Sequence, residues 1–355
     1  MGRVVWTIAA LACLAGCADR HEAGGIDAGG DPEPAVDAAD ARDEDPADVA
    51  ASRLLPGGIA PLTDEQRRIL WSSPEDDVPA SRVDSRHFVH SNEQKHHLFF
   101  PYMDCTDGGY LGVGSDQNYT LLARCRARYA WIVDYDESIP LLHAVHRAFI
   151  LESETPSEFV GRWSEESEES SLEILRKRES QNPRLGDIEK LYVKYREKLR
   201  KHFEDIAKRR YKGEPASWIA DERDYAYVRG MFMAERIRPM LGNLLADRAI
   251  RGIGQASRDV GITVRAIYLT NVEELVHYNQ AFRDSMRSLP VDDRSVVLRT
   301  LAYTHGYPIA DRKWHYNVEP ALDFQEKLGK TVKRIQGFMP GRKETDVVGL
   351  STLGM

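Results

Sequence analysis

The sequence lacks the motifs of several common enzyme classes. It contains no Gly-x-Ser-x-Gly elbow, so an α/β-hydrolase triad has little support, and no Walker loop, which excludes a P-loop nucleotide hydrolase. Cysteine is scarce, with four in 355 residues, and no spacing typical of a zinc site occurs. The N-terminal apolar run, Val4 to Leu14, is shorter than the roughly 20 residues that a membrane span requires.

That apolar run is better interpreted as part of a secretion signal. Arg3, the run and the small residues before Cys17 follow each other in the order of a signal peptide over residues 1–17. The segment Leu14-Ala15-Gly16-Cys17 resembles the lipobox of bacterial lipoproteins, which implies cleavage before Cys17 and its acylation. The alternative is an ordinary secretory signal. We therefore expect an envelope protein anchored by lipid at the outer membrane, facing the periplasm, with the membrane as its partner.

The negative charge of the chain is concentrated in one segment. Residues 18–51 carry eleven acidic side chains against two arginines, a net charge of −9, whereas the whole chain has −8. Such a segment cannot bury enough apolar surface to fold, so we expect a disordered acidic stalk. Residues 52–355 are close to neutral, which argues against non-specific nucleic-acid binding. No protein partner is indicated.

The most informative stretch has the pattern β-α-β-α. A short apolar strand runs from Gly109 to Gly114, and a helix is expected from Asp116 to Arg126. The continuous apolar run Tyr129 to Val133 is typical of a strand buried in a parallel sheet. A second helix follows from Ser138 to Leu151. The order and spacing fit a right-handed crossover.

The remaining pattern predicts the class and extent of the domain. Residues 155–236 show little strand signal and predict a helical insertion between the second and third strands. Alternation of strands and helices then resumes. We expect an α/β fold, a single Rossmann-like domain over residues 52–337 with a doubly wound, mostly parallel sheet. Residues 338–355 are expected to be a loose tail.

Cys105 and Cys125 are expected to meet in this topology. The helix of a βαβ unit returns to the start of its preceding strand, and these cysteines lie just before that strand and at the end of that helix. A disulfide is our prediction, in an oxidising compartment. The alternative is two buried, inert thiols.

A glycine-rich turn and an acid follow the first two strands. Glycines let the backbone approach a ligand closely, and the helix N-terminus that follows attracts anions. Asp134 lies twenty residues after Gly114, which is the spacing of an acid that binds ribose hydroxyls. This spacing predicts a nucleotide-type site.

Four segments resemble the class I S-adenosylmethionine-dependent methyltransferase fold and, more closely, a bacterial family with that fold that includes lipoproteins and has no assigned reaction. The resemblance spans roughly residues 85–330. The segments are Ser91-Asn92-Glu93, Gly112-Val113-Gly114-Ser115-Asp116-Gln117-Asn118-Tyr119, Tyr268-Leu269-Thr270-Asn271-Val272-Glu273-Glu274 and Tyr316-Asn317-Val318-Glu319-Pro320-Ala321.

The resemblance implies S-adenosylmethionine as cofactor and assigns roles to particular positions. Gly112 and Gly114 would face the cofactor, Asp134 its ribose and Asn243 its adenine. Asp116 and Gln117 occupy the third-glycine positions of the methyltransferase and dinucleotide patterns, so they would border the same ligand. Five residues would border the substrate, and no catalytic residue is assigned. The five are Ser91, Asn92, Glu93, Thr270 and Asn271.

Two metal hypotheses and two functions are compatible with the sequence. The histidines at positions 87, 90, 96 and 97 could bind a metal, but structural roles explain them more simply, and Asp134 with Asp136 lacks a third ligand. No metal site is therefore predicted. The export signal and the departures from the glycine pattern at Asp116 and Gln117 favour a binding module of unknown ligand on a methyltransferase-like scaffold. The alternative is a methyltransferase of unknown substrate.

Overall fold

The computed structural model describes residues 54–78, 87–302, 305–330 and 332–355. These residues make up the α/β body. The predicted signal peptide, the lipidation site Cys17 and the acidic stalk over residues 18–51 lie outside the described residues.

An eight-stranded sheet forms the centre of the body. The strands are β1 (Gly109–Val113), β2 (Tyr129–Asp134), β3 (Ile237–Leu241), β4 (Val264–Tyr268), β5 (Val296–Ala302), β6 (Trp314–Pro320), β7 (Arg342–Glu344) and β8 (Leu350–Leu353). Their order in the sheet is β3-β2-β1-β4-β5-β6-β8-β7, and the first five in this order are parallel. β6 is antiparallel to β5, β8 is parallel to β6, and β7 is antiparallel to β8.

The order 3-2-1-4-5 identifies a doubly wound, Rossmann-like sheet, which confirms the predicted fold class. The chain winds outward from β1 to β3 and then returns to place β4 on the other side of β1. This reversal is a topological switch point, and in such sheets a crevice opens there beyond the carboxyl ends of the strands.

Helices cover both faces of the sheet. Neighbouring residues of one strand point to opposite faces: Tyr110 packs into one apolar cluster and Leu111 into the other. The helices are α1 (Asp64–Ser72), α2 (Gln117–Arg124), α3 (Ser138–Leu151), α4 (Pro156–Gly161), α5 (Glu168–Arg178), α6 (Leu185–Ala207), α7 (Glu222–Met233), α8 (Ala249–Asp259), α9 (Val272–Leu275), α10 (Gln280–Arg287) and α11 (Ala321–Leu328). The first cluster includes side chains of α2, α3, α6 and α7, and the second includes those of α8, α10 and α11.

The segment between β2 and β3 is the helical insertion that the sequence predicts. It holds α4 to α7, and a short hairpin of Arg210–Tyr211 with Glu214–Pro215 interrupts it. The rings of Phe159, Trp163 and Phe203 stand edge-on or tilted to one another in its centre. None of the helices within the described residues is both long and apolar enough to cross a membrane.

The expectation of a loose C-terminal tail over residues 338–355 is wrong. This segment supplies β7 and β8, and every residue of β8 is buried. The Ser351 hydroxyl bonds Nε2 of His315 at 2.7 Å, and its carbonyl accepts the Asn317 side-chain amide at 3.2 Å. Two short strands of mixed composition give no clear periodicity, and the pairing of β8 with β6 and of β7 with β8 fixes them instead.

A disulfide joins Cys105 to Cys125, with their Cα atoms 4.8 Å apart. It ties the residues before β1 to the end of α2. The amide of Cys105 also donates to the carbonyl of Cys125 at 2.7 Å. The two ends of the first β-α unit are therefore held together covalently and by a backbone bond.

Candidate functional site

A two-part cleft opens at the switch point, over the carboxyl ends of β1, β2 and β4. Its polar lobe has a volume of about 340 Å³ and its apolar lobe about 270 Å³. Asp134 lines both lobes and so stands where they adjoin. We call the first lobe polar because its lining includes His90, Ser91, Asn92, Glu93, Gly114, Ser115, Gln117, Asp136, Thr270, Asn271 and Lys313; Phe88, Val113, Tyr135, Ile139, Val272, Leu275 and Trp314 line it as well. The apolar lobe is lined chiefly by Val78, Val133, Gly242, Asn243, Leu244, Leu245 and Val276.

The glycine turn after β1 forms part of the polar lobe. Gly114 has a φ of +98°, a conformation that a side chain would strain. The carbonyl of Val113 accepts the side-chain amides of Gln117 at 3.2 Å and Asn118 at 3.1 Å. Gln117, which was predicted to border the cofactor, lines the polar lobe and also fixes the turn.

The buried side chain of His143 also fixes the glycine turn, through the carbonyl of Gly114. Nε2 of His143 lies 3.0 Å from the Gly114 carbonyl, so this nitrogen carries the proton, and Nδ1 accepts from the Tyr119 hydroxyl. Burial lowers the pKa of His143 to about 4, which keeps the ring neutral. Sequence analysis missed His143, because its position on α3 shows only that it faces inward.

Gly112, predicted to face the cofactor, instead serves internal packing. A Cβ at this position would meet the side chains of Asn118 and Tyr110, which are bonded to each other at 2.8 Å. Gly112 does not line the cleft. The glycine allows α2 to lie close to β1, and the prediction that Gly112 faces the cofactor is wrong.

Asp116, also predicted to contact the cofactor, points away from the cleft. Its side chain is 1% exposed, and Oδ2 lies 2.9 Å from Nε2 of His202 on α6. Burial opposes its ionisation, but the electrostatic interaction with His202 and the hydrogen bond from that ring outweigh this cost and hold the pKa of Asp116 well below the ordinary range. Asp116 makes no side-chain cap on α2. It fastens the insertion to the glycine turn.

Asp134 occupies the position expected for a ribose-binding acid. It ends β2 and lines both lobes, and its Oδ1 accepts the amide of Asp136 at 2.9 Å. Burial, with a smaller contribution from the negative charge of Asp136, raises the pKa of Asp134 to about 7 against the opposing effect of backbone hydrogen bonds. Nδ1 of His87 lies 2.7 Å from Asp136. Asp134 is therefore poised to gain or lose its charge near neutral pH.

Asn243 lines the apolar lobe, at the predicted adenine position. Its Oδ1 accepts the amide of Leu245 at 3.0 Å, and its own amide donates to Asp76 at 2.9 Å. Asp76 also accepts the amides of Arg248 and Ala249, at the start of α8. The segment before β1 thus shapes the apolar lobe through the buried carboxylate of Asp76, which no sequence pattern singles out.

Ser91, Asn92 and Glu93, which were expected to border a substrate, line the polar lobe. Glu93 is 4% exposed, and its carboxylate accepts bonds from His96 at 2.9 Å and from the hydroxyls of Tyr268 and Thr300. Burial would raise its pKa, but His96 and the hydroxyl donors together lower it. These hydrogen bonds fix the charged side chain of Glu93 and so hold the segment Ser91-Asn92-Glu93 at the cleft.

Thr270 and Asn271 also line the polar lobe, at the end of β4. Thr270 has a φ of +49°, which is rare for a β-branched residue. Its carbonyl accepts the amide of Thr300 at 2.9 Å, so a neighbouring strand holds the strained backbone. Strain of this kind concentrates at functional sites.

The four histidines weighed as metal ligands have separate partners. His87 contacts Asp136, His96 contacts Glu93, and the ring of His97 stacks on Tyr211 at 4.0 Å. His90 bonds the Ser91 carbonyl. Within the part of the chain that the structure describes, no group of three or more His, Cys, Asp or Glu side chains could hold a metal ion.

The strand order and the cleft at its switch point define a Rossmann-like α/β protein. Residues 88–354 match the family described as a domain of unknown function, DUF7790. The match covers most of the chain, which therefore belongs to that family.

Comparison with other proteins adds little to this assignment. None of the curated proteins matches the sequence. Among solved structures, the chain is similar to the rRNA methyltransferase aviRa from Streptomyces viridochromogenes, with 10% sequence identity, 57% of this chain and 70% of that chain covered, and a TM-score of 0.25. A likeness this weak carries no argument, and the strand order alone defines the fold.

Proposed function

We propose that this chain is an exported binding protein whose cleft takes a ribonucleoside-containing small molecule. The observation that carries the proposal is the position of Asp134 between a polar and an apolar lobe. An ionised carboxylate there accepts hydrogen bonds from both hydroxyls of a ribose. A flat base would enter the apolar lobe, and the rest of the ligand would lie in the polar lobe.

S-adenosylmethionine fits this arrangement. The polar lobe alone lies within the range of roughly 300–1,000 Å³ for small-molecule sites. Asp116, whose charge would repel the carboxylate of this cofactor, faces His202 instead. Bound there, S-adenosylmethionine would supply an electrophilic methyl group. Asp134 would orient its ribose, and the Gly114 turn would border its amino-acid part.

Calorimetry with matched nucleosides tests the ribose contact. The full chain, purified in detergent, is titrated with S-adenosylhomocysteine, adenosine and 2′,3′-dideoxyadenosine. Each charge-assisted bond contributes about 1.5–3 kcal/mol, so loss of the hydroxyls weakens binding by about tenfold or more. The Asp134→Ala variant abolishes the preference for adenosine over the dideoxy compound. Equal affinity for both nucleosides, or absence of binding by all three ligands, contradicts the proposal.

The second part of the proposal is the lipid anchor. It rests on the order of Arg3, the apolar run and Cys17 in the sequence. Acylation adds a characteristic mass to the N-terminal cysteine and carries the protein into a detergent phase. The Cys17→Ser variant loses both properties, and the matched Cys13→Ser variant keeps them. An unmodified N-terminus in the wild-type protein contradicts the anchor.

Methyl transfer is the second candidate function. The polar lobe, which extends from Asp134 to Lys313, favours it because it leaves room for an acceptor beside the nucleoside, and the strained backbone of Thr270 lies in the same lobe. The test is transfer of label from methyl-labelled S-adenosylmethionine to components of an envelope extract. Label that appears with the wild type and not with Asp134→Ala supports transfer. Binding of the nucleoside without any transfer leaves the chain a binding module.

A further inference from the structure

One histidine of the polar lobe is arranged to recognise a second ligand. Nδ1 of His90 lies 2.9 Å from the carbonyl oxygen of Ser91. A carbonyl oxygen can only accept, so Nδ1 carries the proton, and in the neutral ring Nε2 keeps its lone pair. The structure gives Nε2 of His90 no hydrogen bond within the described residues, and His90 lines the cleft.

The surroundings of His90 keep its ring neutral. The ring stacks on that of His202, with centroids 4.5 Å apart and planes 18° from parallel. Burial is the largest effect that lowers the pKa of His90, and the charges of His202 and Lys198 on α6 add to it. The Ser91 carbonyl and the charge of Asp116 oppose this lowering but do not reverse it.

These contacts make His90 an acceptor rather than a base. A proton on Nε2 would place a positive charge against the stacked ring of His202, whose own nitrogen is bonded to the Asp116 carboxylate at 2.9 Å. The lone pair is therefore best used to accept a hydrogen bond from a donor that keeps its proton. Apolar side chains lie in the same lobe: Phe88, Ile139 and Trp314.

We propose that the polar lobe holds a second-ligand subsite in which Nε2 of His90 accepts a hydrogen bond from a neutral phenol-type hydroxyl on an aromatic ring. The ring would pack beside Phe88, which is 66% exposed at the cleft. This inference rests on the proposed function, because the second ligand would lie beside the nucleoside. It goes further by naming the chemical class of the second ligand and the residue that selects it.

The test uses 4-nitrophenol as the probe, since its anion and its neutral form absorb at different wavelengths. The full chain in detergent, saturated with S-adenosylhomocysteine, is titrated with the probe at a pH where the free probe is half ionised. The neutral form binds, so absorption in the anion band falls. His90→Phe, which keeps a ring against His202, abolishes this change. His277→Phe, at an exposed histidine that lines neither lobe, leaves it intact.

The outcomes separate the two proposals. If S-adenosylhomocysteine binds but the probe does not, or binds equally to His90→Phe, the subsite proposal is overturned and nucleoside binding stands. If S-adenosylhomocysteine itself does not bind, the proposed function fails first. Nitrogen NMR provides a check that needs no ligand. The expected spectrum shows His90 at neutral pH with a proton on Nδ1 and none on Nε2, and the opposite tautomer overturns the subsite.

Discussion

Nε2 of His202 lies 2.9 Å from Oδ2 of Asp116. The histidine belongs to the long helix of the insertion, and the aspartate begins the helix that follows the glycine turn. The pair is nearly excluded from water, with side-chain exposures of 11% and 1%. The insertion is therefore fastened to the helix after the glycine turn by a buried hydrogen bond to a carboxylate, and not only by apolar packing.

Removal of the histidine should be costly. His202→Leu leaves the Asp116 carboxylate buried without its partner, which costs roughly 3–5 kcal/mol of unfolding free energy. Urea denaturation measures the loss. Lys201→Leu removes the neighbouring exposed pair with Glu197, at 2.9 Å, and should change stability by less than about 1 kcal/mol. Equal effects of both substitutions would show that the buried pair does not hold the insertion.

Two buried histidines should make the fold sensitive to acid. Burial lowers the pKa of His143 to about 4 and of His146 to about 3, from an ordinary value of 6.5. The unfolded chain takes up protons first, so the free energy of unfolding should fall as the pH decreases from 6.5 towards 4. Each histidine contributes up to about 1.4 kcal/mol per pH unit.

The phenylalanine variant of one of them isolates this effect. His146 is surrounded by the rings of Phe159, Trp163 and Phe203, and another ring fits there. Chemical denaturation at several pH values should show that His146→Phe is less sensitive to acid than the wild type. The exposed His277→Phe should behave as the wild type does. An unchanged pH profile in His146→Phe would contradict the neutral buried state of this ring.

Reduction of the disulfide should destabilise the body. Cys105 and Cys125 close a loop with a sequence separation of 20, for which chain entropy predicts roughly 3 kcal/mol. Denaturation with and without reductant measures this difference, and the Cys105→Ala/Cys125→Ala variant should not respond to reductant. Peptide mapping that finds both thiols free to alkylate in the unreduced protein would rule out the bond.

Glycine at position 112 should be required for packing rather than for a ligand. The Cβ of Gly112→Ala would meet Asn118 and Tyr110, and overpacking of this kind costs about 1–3 kcal/mol. Gly186→Ala, in open space on α6, should stabilise the protein by up to about 1 kcal/mol. Thermal denaturation compares the two. A neutral Gly112→Ala substitution would show that the turn is loosely packed.

The sequence predicted the features that repeat along the chain. Apolar runs and their spacing indicated the parallel strands, and Asp134 was found because a fixed spacing ties it to Gly114. Contacts that depend on distant parts of the chain could not be found in this way. Asp116 was predicted to border a ligand because it occupies the third-glycine position of the methyltransferase pattern, but the direction of its side chain is set by His202, 86 residues later. His143 and Asp76 were missed because a single polar residue on an apolar face, or in a loop, carries no periodic signal. The strands β7 and β8 were missed for the same reason, because their short segments carry no periodic signal.

The most direct test of the central claim is the pH dependence of adenosine binding, because adenosine has no group that titrates between pH 6 and 8. Burial raises the pKa of Asp134 to about 7, so its carboxylate gains its charge across this range. We predict by calorimetry that affinity rises about tenfold from pH 6 to pH 8. The Asp134→Asn variant should bind weakly and equally at both values. Wild-type affinity that is independent of pH and matched by the variant would contradict a ribose site at Asp134.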